Sequence, residues 1–438
     1  MSVEKLLKEQ GYKYNSIKNM TDPEFMQEAR SYADTIISYS SDISLLRQLE
    51  QKLSFEVDPN VFVAYTLKLA ISKLILMSDP KKRLISIVIP MYHEGTRMQR
   101  KEENEFGEDF LRQKYLQLEW LFKGSNKDYV VTLIDDQCND DPPSGVLAEA
   151  IINGDPLLRS KFYVNFLGKA IENKANIDDE VILHSLDGAT IPKSTVKAAA
   201  VEYGMALSCS NSKSSNDIIV TTDADLSVDL GQIGLLLDAF VNNPDTLVAA
   251  GSRRLQKSVM LITADRNIRA QVARYLRETL FGRGFIPLDT QCGFKAWSPD
   301  CVRRLIKDGN LCIRGFSFDV ELLLKVRMMG DENSITPIPI CWFDSAEMTT
   351  TNPSTHRKLI EDQAKLAQKL YSESPEKGKL PHYVNAIDIS LRVSAKQSVW
   401  DEFLNVISNN QELVSQIREF NPLALGTMNE ILNSINVT

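Results

Sequence analysis

The spacing of apolar residues along the chain changes near residue 80. Before that point they recur at helical intervals, as in Phe25, Ala29, Tyr32 and Ile36 and again in Leu45, Leu46, Leu49 and Leu53, which predicts a helical N-terminal region over 1–80. Val61 to Met77 is its most apolar stretch; Lys68 and Lys73 interrupt it, so it reads as an amphipathic helix rather than a membrane span. After the polar break Asp79-Pro80-Lys81-Lys82-Arg83, the run Leu84-Ile85-Ser86-Ile87-Val88-Ile89-Pro90 reads as a buried strand stopped by proline. A charge-dense helical pattern covers Glu102 to Phe122, and Tyr129 to Ile134 is a second strand. A short strand is expected at Val181-Ile182-Leu183-His184, a helix over Ser194 to Leu207, another near Leu230 to Val241, and a strand over Thr246 to Ala250. Strands alternating with helices in this way predict an α/β fold with a mostly parallel sheet flanked by helices. Residues 335 to 343 give a last strand, whose Pro337 and Pro339 suit a sheet edge. Beyond the breaker-rich linker Ser372 to Gly378 the pattern is helical again. The expected organisation is therefore 1–80 helical, 81–371 the α/β domain and 372–438 helical.

Two of the strands end in acid. Asp217-Ile218-Ile219-Val220-Thr221-Thr222 runs into Asp223-Ala224-Asp225-Leu226-Ser227, and Tyr129 to Ile134 runs into Asp135-Asp136. In an open α/β sheet the ligand crevice lies outside the carboxyl ends of the strands, so these carboxylates are expected beside a ligand. Carboxylates held this close repel one another unless a cation neutralises them, and hard oxygen ligands suit Mg2+ or Mn2+ bridging a diphosphate. The competing reading is that Ser227 or Asp229 caps a helix and the acids belong to an ordinary turn. An EF-hand is excluded, because Val228 and Gly234 stand where such a loop needs Gly and Glu.

At 438 residues with 43% hydrophobic content the chain has ample material for a large core, and a net charge of −8 argues against a nucleic-acid surface spread over the whole molecule. The N-terminus lacks the pattern of a signal peptide, and the six cysteines include no C-x-x-C pair, so a cytoplasmic protein with reduced thiols is expected. No P-loop, G-x-G-x-x-G, H-E-x-x-H or G-x-S-x-G occurs.

Five pieces occur in order: Ser86-Ile87-Val88-Ile89-Pro90 with Glu94 and Arg97; Asp223-Ala224-Asp225-Leu226-Ser227; Gly251-Ser252-Arg253; Asp289-Thr290-Gln291-Cys292-Gly293-Phe294-Lys295; and Phe318-Asp319-Val320-Glu321-Leu322-Leu323. Together they make residues 84 to about 345 resemble family 2 glycosyltransferases of GT-A fold, most closely the dolichyl- or polyprenyl-phosphate mannosyl- and glucosyltransferases. The resemblance implies transfer of a hexose from a nucleotide-diphosphate sugar, UDP- or GDP-linked, with Mg2+ or Mn2+ at the diphosphate. Pro90, Tyr92, Glu94, Asp135, Asp136, Asp223, Ala224 and Arg253 would lie on the donor side, with Lys193 as a phosphate partner. Asp225 would hold the metal with Asp223, and His356 would complete the site. Asp319 would be the general base for a hydroxyl acceptor, or would serve as a helix cap. Gln291, Cys292 and Gly293 would face the acceptor, and Arg266 and Arg269 would contact its phosphate or else form a solvated helix face.

The sequence departs from the family at Gln137-Cys138 after the second-strand acids and at Ile191-Pro192-Lys193, which lacks flanking glycines. Two further readings stay open: a soluble, retaining synthase acting on a small phosphorylated acceptor such as a phosphoglycerate, and a non-catalytic nucleotide-sugar-binding scaffold. No transmembrane segment is expected, and peripheral membrane contact is left open.

Overall fold

The computed structural model describes residues 2–13, 21–56, 59–187, 189, 197–261, 264–309, 311, 315, 317–344, 353–373 and 381–435. The chain divides into two compact units: Met1–Leu261 with Cys292–Asn310 and Met328–Glu347, and Ile262–Gln291 with Leu311–Arg327 and Met348–Thr438.

The first unit carries the strands β1 (Leu84–Met91), β2 (Asp128–Asp135), β3 (Phe162–Phe166), β4 (Ile218–Thr221), β5 (Val248–Ser252), β6 (Val259–Leu261), β7 (Lys295–Trp297), β8 (Ile335–Pro339) and β9 (Cys341–Phe343). Seven form one sheet in the order β3-β2-β1-β4-β7-β5-β8, while β6 and β9 pair separately. All neighbours in the seven-stranded sheet are parallel except β7, which runs antiparallel to both β4 and β5. This is the mostly parallel α/β sheet expected, and β8 with its two prolines stands at the edge, where a missing N–H costs no ladder bond.

Four N-terminal helices belong to the same unit: α1 (Val3–Lys13), α2 (Pro23–Tyr39), α3 (Ile43–Leu53) and α4 (Val61–Ser78). Asp22, Asp42 and Asn60 cap α2, α3 and α4 by accepting backbone N–H bonds, which is why each helix starts where it does. The helices share one apolar core with Leu235, Cys341 and Phe343. The expectation that α4 is amphipathic is corrected: Phe62 to Leu76 are all buried. By length and composition α4 could cross a membrane, yet most of it lies inside the protein. Its lysines are buried too, with the Lys68 ammonium 2.5 Å from Glu50 and donating to Pro339 O at 3.1 Å, and Lys73 2.8 Å from Asp34. Burying a charge costs least when it is paired, and each of these is.

Several boundaries differ from the sequence reading. Val181–His184 is not a strand but lies in the helix Glu180–Ser185, because Asp179 accepts bonds from Val181 N and Ile182 N and nucleates a first turn. The strand beside β2 is instead β3. The helix expected from Glu102 begins only at Phe110, and the last strand is two, β8 and β9, in different sheets. The helix Ala198–Asn211 packs on β1 and β2, and Gly204 permits the close approach: a Cβ there would collide with Val88 Cγ1.

The second unit is helical, with Ala264–Phe281, Phe318–Met329, Pro353–Glu373, Pro381–Ser394, Gln397–Asn409, Gln411–Arg418 and Leu423–Ser434. Its core gathers Val272, Leu276, Ile389, Val393, Trp400 and Phe403.

Candidate functional site

Strand register brings the acidic motifs together. Val88 of β1 lies opposite Thr132 of β2 on one side and Thr221 of β4 on the other, so Met91, Asp135 and the segment after Thr221 leave the sheet at one carboxyl edge. The antiparallel β7 starts at that edge, since Lys295 pairs with Thr221 and with Ala250 of β5. The loop before β7 and Ser252-Arg253 after β5 therefore arrive there as well. Three of the five sequence motifs, with Cys292 to Lys295 of a fourth, thus meet at one rim of the first unit.

Asp223 sits at the centre of this rim. Its side chain remains 39% exposed and its Oδ1 pairs with Lys197 Nζ. Lys197 also donates its backbone N–H to Asp136 Oδ2 at 2.9 Å, so one residue ties the ends of β2 and β4. Burial alone would raise the Asp223 carboxyl, but the Lys197 ion pair, with Lys295 and Lys114 nearby, outweighs it and the net shift is downward. Asp225 goes the other way: burial and then repulsion from Asp223 push it up, with only partial relief from Arg97 and Lys114. Its Oδ1 accepts from Ser227 N at 3.1 Å. The motif thus holds one compensated carboxylate and one under electrostatic stress.

Gly293 presses its backbone on Asp223: a Cβ there would lie 2.7 and 2.8 Å from the two carboxylate oxygens. Its carbonyl accepts from Thr221 Oγ1 at 2.9 Å. Gly293, expected on the acceptor side, therefore packs directly against the Asp-x-Asp motif. Next to it Cys292 is buried, and its carbonyl accepts from the buried Lys295 ammonium at 2.5 Å.

The β1 and β2 loops supply the rest. Glu94 Oε2 pairs with Arg97, and Glu94 N donates to Ser144 Oγ at 2.8 Å. Burial, opposed by Arg97 and reinforced by Asp225 and Glu108, raises the Glu94 carboxyl to about 7. Both Asp135 oxygens are engaged by backbone, accepting from Cys138 N at 3.1 Å and Gly145 N at 2.7 Å, so this residue shapes the loop that carries Asp136. Pro90 and Ala224 are buried, and Tyr92 is partly exposed with its ring 4.1 Å from that of His93. His93, Gln137 and Lys197 all take positive φ values of 59°, 57° and 81°. Strained non-glycine backbone concentrates where geometry serves function, and three such residues flank this rim. Arg253 stacks over the Trp342 ring at 5.0 Å.

Asp319, His356, Arg269 and Gln291 belong to the second unit. Asp319 is buried at the second position of its helix, His356 is buried in Pro353–Glu373, and Arg269 is half-buried. The Gln291 side-chain nitrogen is buried without a hydrogen-bond partner. On the same arginine-rich helix Arg277 is buried and donates to Thr290 Oγ1 at 2.9 Å and to Leu288 O at 2.8 Å, holding the loop that leads to Gln291. Lys193 and the side chain of Arg266 lie outside the described residues. Among the described residues no three His, Cys, Asp or Glu side chains are gathered into a ready-made metal cage.

Lys197, Glu108 and Lys114 were not singled out by sequence reasoning. Lys197 fell inside the helix expected over Ser194 to Leu207, whereas the helix begins at Ala198 and Lys197 stands just before it. Glu108 accepts from Leu226 N at 3.0 Å, and Lys114 is fully buried with its ammonium unpartnered.

No family model matches the chain, and no curated protein matches it in sequence. Among solved structures it is similar to glucosyl-3-phosphoglycerate synthase from Mycobacterium tuberculosis in complex with phosphoglyceric acid, at 13% identity and a TM-score of 0.43, over 68% of this chain and 84% of that one. It is similar to the same synthase in complex with Mn2+, UDP and phosphoglyceric acid, at 14% identity and a TM-score of 0.43, over 68% and 82%. It is also similar to mannosyl-3-phosphoglycerate synthase from Rubrobacter xylanophilus, at 12% identity and a TM-score of 0.40, over 68% and 76%. Likeness at this level assigns no substrate.

Proposed function

We propose that the chain is a metal-dependent glycosyltransferase that moves a hexose from a nucleotide-diphosphate sugar to a phosphate- or hydroxyl-bearing acceptor, with inversion. The observation that supports this best is the rim itself. Asp136 follows β2, and Asp223 and Asp225 follow β4, the two strands that flank β1 in parallel, with the Gly293 backbone against Asp223 and with the Asp225 carboxyl pushed up by burial and by repulsion from Asp223.

The residues fit a hard divalent ion. Asp223 and Asp225 offer two carboxylates, and their mutual repulsion is relieved by a cation; Mg2+ is commonly held by one or two carboxylates plus substrate phosphates, so no three-residue cage is needed. Mg2+ or Mn2+ bound there supplies Lewis-acid stabilisation of the diphosphate leaving group. Lys197 pairs with Asp223 and would become available to diphosphate oxygens when that carboxylate is otherwise engaged. Asp136 keeps the Lys197 backbone in place, and Glu94, aligned by Arg97, accepts from donor hydroxyls when ionised. A hydroxyl acceptor needs a base to take its proton, whereas a phosphate acceptor is already ionised and needs none.

The test is a thermal-shift panel of UDP- and GDP-sugars with and without Mn2+ on wild type and Asp225→Asn. It is followed by transfer assays with a polyprenyl phosphate and 3-phosphoglycerate as acceptors. A ligand at a hundred times its Kd stabilises by about 2.7 kcal/mol. The expected result is a metal-dependent shift with one donor class that Asp225→Asn abolishes. No shift with any nucleotide sugar would defeat the reading.

A further inference from the structure

The segment that leaves β4 with the two aspartates runs from Thr222 to Gln232 with little regular structure of its own, so outside groups must fix its shape. Its anchor is Asp229, which is buried and accepts three bonds. Oδ1 takes the Gly231 N–H at 2.6 Å, and Oδ2 takes the Tyr65 hydroxyl at 2.5 Å and faces Arg30 Nη1 at 3.5 Å. Tyr65 lies on α4 and Arg30 on α2. Burial and then the Asp229 charge push the Tyr65 phenol well up, so the hydroxyl remains a donor. A path of contacts leads back to the site: the Tyr65 ring meets Phe343 edge-on at 5.4 Å, Phe343 N donates to Ser227 O at 3.0 Å, and Ser227 N donates to Asp225 Oδ1. Helix α4 also lies against the exit of the segment, where a Cβ on Gly231 would come 2.8 Å from Leu69 Cδ2.

We infer that the N-terminal helices act as a clamp on the Asp-x-Asp segment, with Tyr65 and Arg30 as positioning residues that hold Asp225 in its cation-binding place through Asp229. The inference rests on the proposed metal-dependent reading of that site. It gives residues 1–80, which the family resemblance does not cover, a role in the chemistry. Groups behind a metal ligand that orient it change metal affinity by about 10- to 100-fold when removed.

Two readouts on the full chain test it: Mn2+ binding followed by electron paramagnetic resonance of the free ion, and hydrogen exchange across residues 223–232 without metal. They are applied to wild type, Tyr65→Phe, Arg30→Met and Arg30→Lys. Tyr65→Phe removes one hydroxyl and keeps the ring, so the fold is retained; should it fail to fold, Arg30→Met carries the test. The expected result is about tenfold weaker Mn2+ binding and faster exchange across 223–232 in Tyr65→Phe and Arg30→Met, with Arg30→Lys recovering part of both. Mn2+ affinity within twofold of wild type in folded Tyr65→Phe and Arg30→Met would overturn the inference, whatever the exchange shows. A wild-type chain that binds no Mn2+ would instead defeat the functional reading, and unchanged exchange in the variants would then reject the clamp on its own.

Discussion

Replacing Gly293 by alanine tests the site with a single methyl group. Gly293 is not among the glycines with positive φ, so its backbone accepts alanine, and only the space around the new Cβ matters. That space is filled by Asp223, whose two oxygens and Cγ would lie 2.7, 2.8 and 2.9 Å from the added carbon. Ordinary contact begins near 3.4 Å, so the carboxylate and the glycine must separate by about 0.7 Å. Neither side yields freely: Asp223 is paired with Lys197, and the Gly293 carbonyl is held by the Thr221 hydroxyl at 2.9 Å. A displacement approaching 1 Å in a positioned group costs up to about 10²-fold in rate. The stability effect is small, because overpacking of about 1–3 kcal/mol is offset by the 0.4–1 kcal/mol, roughly, that Gly→Ala removes from the entropy of the unfolded chain. The expected signature is a donor kcat/KM lowered about 10²-fold with a Tm within a few degrees of wild type, read by a coupled nucleotide-release assay beside calorimetry. Gly426→Ala is the control: no atom lies within 4 Å of the new Cβ, so activity is unchanged and the helix Leu423–Ser434 gains stability. Donor turnover by Gly293→Ala within threefold of wild type would refute the placement of Asp223 at the reacting diphosphate.

The other predictions concern charge. Glu94 keeps its proton up to about 7 in the folded chain against an ordinary 4.5, so the folded state binds more protons between those values. Its contribution to stability is therefore present below pH 4.5 and lost as pH rises through about 7, and Glu94→Gln is expected to flatten unfolding free energy against pH in that window. Donor KM should fall as pH rises through the same range if ionised Glu94 accepts from the donor; a flat profile would remove Glu94 from donor binding. Lys114→Met replaces a buried ammonium that has no hydrogen-bond partner, and burial already drives that lysine toward its neutral form. The expected gain is about 1 kcal/mol or more in urea unfolding, with tighter Mn2+ binding because a cation near Asp223 and Asp225 is gone; a lower midpoint would show that the charge is needed for folding. Lys197→Ala is expected to raise donor KM about tenfold with Tm little changed, as measured by initial rates against donor concentration.

The sequence pattern located β1, β2 and β4 closely, because a β-branched run between polar breaks has few alternatives as a buried strand. It failed where the same residue types fit either state. Val181-Ile182-Leu183 has the composition of a strand, and what decides for helix is Asp179, whose side chain caps two N–H groups; an acid two residues ahead of an apolar run was the available signal. Phe162-Tyr163-Val164-Asn165-Phe166 went unread because its exposed Tyr163 and its asparagine blur the buried face, and only pairing with β2 makes it a strand. α4 was read as one-sided because of Lys68 and Lys73, yet both are neutralised by carboxylates from α2 and α3 that lie far away in sequence. Partners of that kind are tertiary facts, invisible to periodicity.

The loop Asp289 to Phe294 marks the deeper limit. Its residue types announced a binding loop, but which motif it would meet depended on the direction of β7, whose three residues Lys295, Ala296 and Trp297 carry no readable period. A parallel strand delivers the loop that follows it to the carboxyl edge, and an antiparallel strand delivers the loop that precedes it. Because β7 is antiparallel between β4 and β5, Gly293 arrives beside Asp223, so a residue expected on the acceptor side packs against the Asp-x-Asp motif. The residue types of the rim were therefore legible, whereas their adjacency was set by one short reversed strand.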